Sequence, residues 1–400
     1  MEKTICELFA GVGGFRLGFE RECNEWNTVW FSQWEPGKKN QWAHDCYVSH
    51  FGDVDKYTGI DIAQVPKKHI PNHSLLVGGF PCQDYSVARP LSGSSGIEGK
   101  KGVLWWQIRD TLIAKKSPFV LLENVDRLIK SPASQRGRDF GIILQCLNEL
   151  GYIVEWRVIN AAEYGAAQKR RRIFIFAYNK KTEYAKQQKK IPPKEIINNS
   201  GFFAKVFPIY NVDKIIDGQF ESSDVYEISN NFKFEFMNSG YMINGKFYTA
   251  KAVSVKELAI PLSDIVESNV EEKYYLGEDL ESWKYLKGSK KIKRTSKSGH
   301  QYIFSEGAIP FPDSLDFPAR TILTSETGKS RSTHVIEDPG TGKLRLLTPI
   351  EAERIQGFDD NWTDTGMPHK FRYFCMGNAL VVPMITRMAK EIGKIIEAEK

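Results

Sequence analysis

From Thr4 to Ala177 short apolar runs alternate with amphipathic stretches, a texture that predicts strand–helix units on a parallel sheet. The predicted strands are Thr4–Phe9, Thr28–Phe31, Leu75–Val77, Phe119–Leu122, Ile153–Val158 and Arg172–Ala177. Helices are predicted around Trp105–Ala114 and Phe140–Leu150. In the second, Ile142, Ile143, Cys146, Leu147 and Leu150 fall on one helical face. The texture changes at Asn179, where the polar run KKTEYAKQQKK leads to Pro192-Pro193. From there to about residue 320, aromatic-rich segments alternate with Gly, Asn and Ser, and Phe232–Phe236 alternates as a half-exposed strand does. A separate, irregular β-rich lobe is predicted there. After Thr348 the chain reads helical again, with Thr348-Pro349 in the form of an N-cap followed by Pro at the first helical position. The layout is a first α/β lobe over 1–178, an inserted lobe over about 179–344, and a return to the first lobe over 345–400.

Composition narrows the class without fixing it. At 400 residues, 41% hydrophobic and 26% charged, the chain suits a globular enzyme with one large domain and a second lobe. No run approaches the roughly 18 apolar residues of a membrane helix, so no membrane partner is expected. The opening MEKTICELFAG lacks a signal-peptide pattern. A net charge of +6 tilts toward a polyanionic partner but does not require one. The six cysteines, at 6, 23, 46, 82, 146 and 375, form no C-x-x-C pair. Neither a disulfide framework nor a cysteine-rich zinc site is expected, and a reducing cytosol fits.

Candidate chemistry gathers at the ends of the predicted strands. The first runs into Glu7-Leu8-Phe9-Ala10-Gly11-Val12-Gly13-Gly14-Phe15, where Gly11 and Gly13 let backbone approach a ligand. Glu35 follows the second strand, where a carboxylate can accept hydrogen bonds from ribose hydroxyls. Asp61-Ile62 suits either an adenine edge or a solvated loop. Gly78-Gly79-Phe80-Pro81-Cys82-Gln83 presents a cysteine on a turn at a strand end, the setting of an accessible thiolate nucleophile. The other five cysteines read as packing residues. Glu123 ends the strand Phe119–Leu122. There it is either a general acid with a pKa raised by desolvation or an N-cap carboxylate. Residues 89–102 (RPLSGSSGIEGKKG) read as a lid over an anionic ligand or as a surface loop. Alternation places Arg170 and Arg172 on one face, for a base oxygen or phosphate or as a solvated edge. Lys284 to Lys297 holds seven basic residues and no acidic ones, suited to a nucleic-acid backbone or simply solvated.

Taken in order, these motifs resemble the cytosine-5 DNA methyltransferase family in its bacterial form. ELFAGVGGFRLG is similar to its first motif, GGFPCQDYSVA to its nucleophile motif, LLENV to its acid motif and AAEYGAAQKRRRIFIFA to its Gln-x-Arg-x-Arg motif. PARTI, LTPIEAERIQGF and MGNALVVP resemble those that follow the target lobe. The resemblance spans the first 178 residues and about the last 80, leaving the inserted lobe unmatched. Two departures stand out: Glu7 replaces the commoner Asp, and Trp34-Glu35-Pro36 differs from the usual second motif.

The resemblance implies a mostly parallel Rossmann-like methyltransferase sheet with an inserted target-recognition lobe. It implies methyl transfer from S-adenosylmethionine to carbon 5 of a flipped cytosine in duplex DNA, leaving S-adenosylhomocysteine and using no metal. The catalytic residues would be Cys82, Glu123, Arg170 and Arg172. The cofactor would meet Phe9, Gly11, Gly13, Glu35, Pro36, Asp61, Ile62, Leu104 and Asn378. DNA would meet Ser86, Arg89, Gln168, Lys290, Lys291, Lys293 and Arg294. The chain would act as a cytoplasmic, nucleoid-associated monomer, beside any separately acting cognate restriction endonuclease, with no extra regulatory domain. The alternative is a tRNA cytosine-5 methyltransferase, whose target lobe usually carries Cys-Phe-Thr; residues 179–319 contain no cysteine. A catalytically silent DNA-binding protein would not need Cys82, Glu123 and Arg172. A nicotinamide oxidoreductase would explain only the glycine turn.

Overall fold

The computed structural model describes residues 1–80, 103–222, 224–277, 279–296 and 299–399. Its centre is a sheet built from β1 (Thr4–Leu8), β2 (Asn27–Ser32), β3 (Leu75–Gly79), β4 (Phe119–Val125), β5 (Tyr152–Asn160) and β6 (Arg171–Asn179). Beyond the two-residue β7 (Ile209–Tyr210) come β8 (Ile216–Gln219), β9 (Ser239–Ile243) and β10 (Lys246–Ala250), giving the order β2-β1-β3-β4-β6-β5-β9-β10-β8. Strands β1 to β4 are parallel, and β5 and β10 share their direction, so six of the nine run one way. The fold is α/β and Rossmann-like.

The apolar runs of the inner strands reflect cover on both faces. Ile5, Leu75, Val77, Phe119 and Leu121 pack with Val12, Phe15, Ile385 and Met388. Their neighbours Cys6, Leu8, Leu76, Val120 and Leu122 pack on the other face with Trp105, Ile108, Phe140, Ile143 and Leu147. The first face is covered by α1 (Gly14–Glu20) and the final helix Val382–Glu397, the second by α3 (Val103–Lys115) and α4 (Arg138–Glu149), with α2 (Trp42–Phe51) at the β2 edge. Gly18 permits the close approach of α1 to the final helix, since a Cβ there would lie 2.6 Å from Ile385 Cβ.

Three sequence expectations change. First, β6 is antiparallel to both β4 and β5. It follows β5 after ten residues, 161–170, with a single helical turn at Ala161–Tyr164, too short a link to return the chain for a parallel strand. Second, the sheet does not stop near residue 179. β9 pairs with β5, and β10 and β8 extend it, so residues 216–250 continue the central sheet instead of starting a separate lobe. Gly240 faces Trp156 in this register, and a Cβ there would lie 2.0 Å from the indole. Third, Phe232–Phe236 is no strand. Its alternation is real, but it packs three phenylalanines beside Phe247 and Phe140 while Phe234 N donates to Arg136 O at 3.0 Å.

After this sheet the chain forms small hairpins, Lys290–Thr295 with Gln301–Glu306 and Val335–Glu337 with Leu344–Leu346. It then returns through helices Pro349–Gln356, His369–Asn378 and Val382–Glu397. Thr348 caps the first of these, its hydroxyl accepting from Glu351 N while Glu351 accepts from Thr348 N. Among the described residues no helix is long and apolar enough to cross a membrane.

Phe236 is 1% exposed, with ring centroids 5.0 Å from Phe140 and 5.2 Å from Phe247. Phe236→Ala is expected to cost about 3–5 kcal/mol of stability, read by denaturant titration. A loss below about 1 kcal/mol would show that the cluster is not part of the cooperative core.

Candidate active site and cofactor cleft

The cleft opens where the parallel strands end. Leaving β1, the backbone turns through positive φ at both Phe9 (57°) and Gly11 (58°). Such a conformation is costly for phenylalanine and typical of a ligand-holding turn. The turn is tied to the end of β2: Ala10 N donates to Ser32 O at 2.9 Å and Gly11 N to Gln33 Oε1 at 2.7 Å. A Cβ on Gly11 would meet nothing within 4 Å, so glycine serves conformation here and the space beside it is open. That space is a cleft of about 760 Å³ bordered by Phe9, Gly11, Gln33, Glu35, Gly79, Glu123, Phe374, Cys375 and Asn378.

Three electrostatic features define the cleft. Glu35 is half-buried, its Oε2 has no hydrogen-bond partner, and burial raises its pKa. An orphaned carboxylate oxygen of this kind calls for hydrogen-bond donors. Glu123, at the end of β4, accepts from Arg172 Nε at 2.8 Å with only 13% of its side chain exposed. Burial raises its pKa, while Arg172 and Arg170 oppose the shift. The N-cap alternative for Glu123 is not realised: the next helical turn starts from Val125 without a side-chain cap. Gly79 keeps this carboxylate clear, because a Cβ there would lie 3.2 Å from Glu123 Oε2. Finally, Asn124 Nδ2 donates to Phe80 O at 2.7 Å, fixing the chain just before Pro81-Cys82. Cys82, Ser86 and Arg89 lie outside the described residues, as does all of the 89–102 loop.

The antiparallel course of β6 explains how Arg172 arrives: its first residues lie at the C-terminal edge of β4, with Arg172 opposite Val125. Arg170 and Gln168 take other roles than expected. Arg170 is 1% exposed and donates to Ile322 O at 3.0 Å and Gly377 O at 2.9 Å, away from any base. Gln168 is fully buried, and its Oε1 accepts from Ile322 N at 3.1 Å, so it bridges chain segments and presents nothing to DNA in this conformation. The PARTI segment is thereby clasped to residues 167–170, with Lys169 N donating to Ala319 O and Ala319 N to Ala167 O, each at 2.8 Å.

Of the expected cofactor residues, Phe9, Gly11, Glu35 and Asn378 come together on the cleft; Gly13, Pro36, Asp61, Ile62 and Leu104 are not among its lining residues. Gly13 precedes α1 with φ 88°, and a Cβ there would lie 2.4 Å from the Phe51 ring. Asp61 accepts from Ala63 N at 2.9 Å, the loop role that competed with an adenine contact. Pro36 is exposed, while Ile62 and Leu104 pack in the α3-side core. The basic residues divide as well: Lys291 and Lys293 point to one side of their hairpin, Lys290 and Arg294 to the other. Sequence reasoning missed Gln33 and Phe374. A buried amide immediately after β2 is the signal for Gln33, whereas Phe374 carries none. Among the described residues no group of three or more His, Cys, Asp or Glu is placed to hold a metal ion.

Residues 3–394 match the family model of the C-5 cytosine-specific DNA methylases, and the chain belongs to this family. It is 53% identical over 397 residues to the Type II methyltransferase M.Sau3AI of Staphylococcus aureus, covering 98% of this chain and 95% of that protein. It is 28% identical over 399 residues to the Type II methyltransferase M.SsoII of Shigella sonnei, covering 98% and 81%. Among solved structures, a methyltransferase of Entamoeba histolytica, EhMeth, superposes with a TM-score of 0.59 at 17% identity, covering 99% of both chains. A DNMT2 variant from Spodoptera frugiperda gives 0.60 at 16%, covering 99% and 100%. At such identities the likeness shows the fold alone. The protein is a DNA cytosine-5 methyltransferase of the S-adenosylmethionine-dependent class, and its relatives favour DNA over tRNA as substrate.

Beneath the glycine turn, Glu7 is fully buried, accepts from Tyr47 Oη at 3.0 Å, and has its pKa pushed up by burial from 4.5 to about 8. The folded state therefore holds a proton there that the unfolded chain releases, and stability falls as pH rises from about 4.5 to about 8. Glu7→Gln is expected to flatten this fall, measured as denaturation midpoints across that range. An unchanged slope would show that Glu7 stays ionised in the fold.

Proposed function

We propose that the chain methylates cytosine through a covalent adduct of Cys82, with the buried Glu123–Arg172 pair at the mouth of the cofactor cleft as the observation that carries the reading. The target base leaves the duplex stack, because carbons 5 and 6 are not reachable inside it. The Cys82 thiolate bonds to carbon 6 while Glu123, whose pKa burial raises, donates a proton to ring nitrogen 3. Carbon 5 thereby gains the electron density to act as a nucleophile. S-adenosylmethionine supplies the electrophilic methyl group when bound. Phe9, Gly11, Glu35 and Asn378 would hold it, with Glu35 on the ribose and the Gly11 turn against the chain. After transfer, water takes the carbon 5 proton, the sulfur–carbon 6 bond breaks to free the Cys82 thiolate, and ring nitrogen 3 returns its proton to Glu123, which restores the ring. Arg172 orients Glu123 and offers its remaining N–H groups to the base oxygen. Arg170, two residues earlier, anchors the start of this strand by donating to Ile322 O and Gly377 O.

The natural substrate is a defined duplex sequence in a cytoplasmic, nucleoid-associated setting of the restriction–modification type, with the enzyme acting as a monomer and any endonuclease acting separately. The restriction–modification setting rests on the Type II methyltransferases to which the chain is similar. Bisulfite sequencing of DNA from cells expressing the protein tests it by reading out the modified site; methylation of tRNA alone would overturn it.

Cys82→Ser is expected to abolish methyl transfer to duplex DNA while leaving DNA binding within about twofold; retained transfer would refute the nucleophile. Because burial raises the pKa of Glu123, turnover is expected to fall where rising pH strips its proton. Glu123→Gln, a donor at every pH, is expected to lose this alkaline limb and roughly 10²–10⁴-fold in rate. Persistence of the limb in Glu123→Gln would assign it to another group.

A further inference from the structure

The strands Lys290–Thr295 and Gln301–Glu306 pair only with each other among the described residues, so they form a free two-stranded ribbon. Alternation sorts its side chains into two faces. The inner face turns Lys290, Ile292, Phe304 and Glu306 toward the lobe, and all four are partly buried. Lys290 sits over the Tyr285 ring at 4.6 Å, Glu306 lies 3.8 Å from Arg331, and Arg294 stacks on Phe304 at 3.8 Å. The outer face carries Lys291, Lys293, Thr295, Gln301, Ile303 and Ser305, every one exposed and none acidic. Its cross-strand pairs are Lys291 with Ser305, Lys293 with Ile303 and Thr295 with Gln301. Ile303 is 65% exposed, an apolar side chain standing directly opposite a lysine.

A surface with this composition is matched to nucleic acid in a specific way. A two-stranded ribbon fits the DNA major groove, a glutamine amide pairs with the N6 and N7 edge of adenine, and an apolar side chain packs on the thymine methyl. Lysines at the same face neutralise phosphate. We infer that the outer face of this ribbon enters the major groove of the target site, with Gln301 and Ile303 reading an A·T pair and Lys291 and Lys293 closing on the flanking phosphates. The inference rests on the reading above that the chain binds duplex DNA. It adds which residues select the sequence and which only hold the duplex.

All four residues are exposed, so their substitution leaves the core intact. Binding of the full-length enzyme is measured on a duplex carrying the site mapped by bisulfite sequencing and on a scrambled duplex, each over a range of salt. Gln301→Ala and Ile303→Ala are each expected to weaken the site duplex by about 5- to 150-fold and to leave the scrambled duplex unchanged. The double variant Lys291→Ala/Lys293→Ala is expected to weaken both duplexes and to reduce the slope of log affinity against log salt by about two. With uracil in place of thymine in the site, the wild type loses affinity and Ile303→Ala loses no more. Equal losses on both duplexes for Gln301→Ala and Ile303→Ala, or none, would overturn their assignment as readers. An unchanged affinity and salt slope in the double lysine variant would instead remove the ribbon from the DNA altogether.

Discussion

The buried guanidinium of Arg170 holds together the parts that the chemistry needs. Its two hydrogen bonds, to Ile322 O and Gly377 O, join the start of β6 to the segment returning from the inserted lobe and to the helix that ends at Asn378. A guanidinium taken out of water is tolerable only when carbonyls or carboxylates replace its hydration, so this geometry is tightly specified. Gly377 tightens it further: a Cβ there would lie 2.3 Å from Thr324 N. Gln168 adds a second tie between the first two of these segments by accepting from Ile322 N. The residue beside this knot, Arg172, reaches Glu123, and the one after Gly377 lines the cofactor cleft.

Burial does the electrostatic tuning around that framework. Glu123, Glu35 and Glu7 all have pKa values raised by desolvation, yet their surroundings differ. Glu123 has an arginine partner that keeps it placed without fully cancelling the shift. Glu35 is left with an unsatisfied oxygen facing the cleft, whereas Glu7 bonds Tyr47 away from it. The same residue type thus stands paired to an arginine, open to the cleft or bonded to a tyrosine hydroxyl, and what lies within a few ångströms sets the balance in each case.

Much of this was legible in the sequence. The apolar runs located all six strands of the first lobe, and motif order located the glycine turn, Glu35, Glu123 and Asn378 at one cleft. The direction of β6 was not legible, since an apolar strand carries no mark of the sense in which it pairs; only the shortness of the 161–170 link hints at it. Phe232–Phe236 alternates because three rings share one pocket, and alternation alone cannot distinguish that from a ladder. Arg170 and Arg172 look equivalent in the sequence, but where a long side chain ends is decided by distant segments, here 322 and 377. Asp61 and Gln168 are polar residues whose backbone partners become visible only in three dimensions.

The β5–β6 hairpin has a consequence for how this protein tolerates change in length. Arg172 turns to Glu123, while its neighbour Arg171 turns outward to Asp126 at 3.0 Å. Because side chains alternate strictly along a strand, inserting one residue after the Arg170 clasp would bring Arg171 to the Glu123 side and leave the inserted residue facing Asp126. Deleting Arg171 would instead turn Arg172 outward and leave the buried acid without its cation. The spacing from the Arg170 clasp to Arg172 is therefore set by the two faces of β6, across three residues.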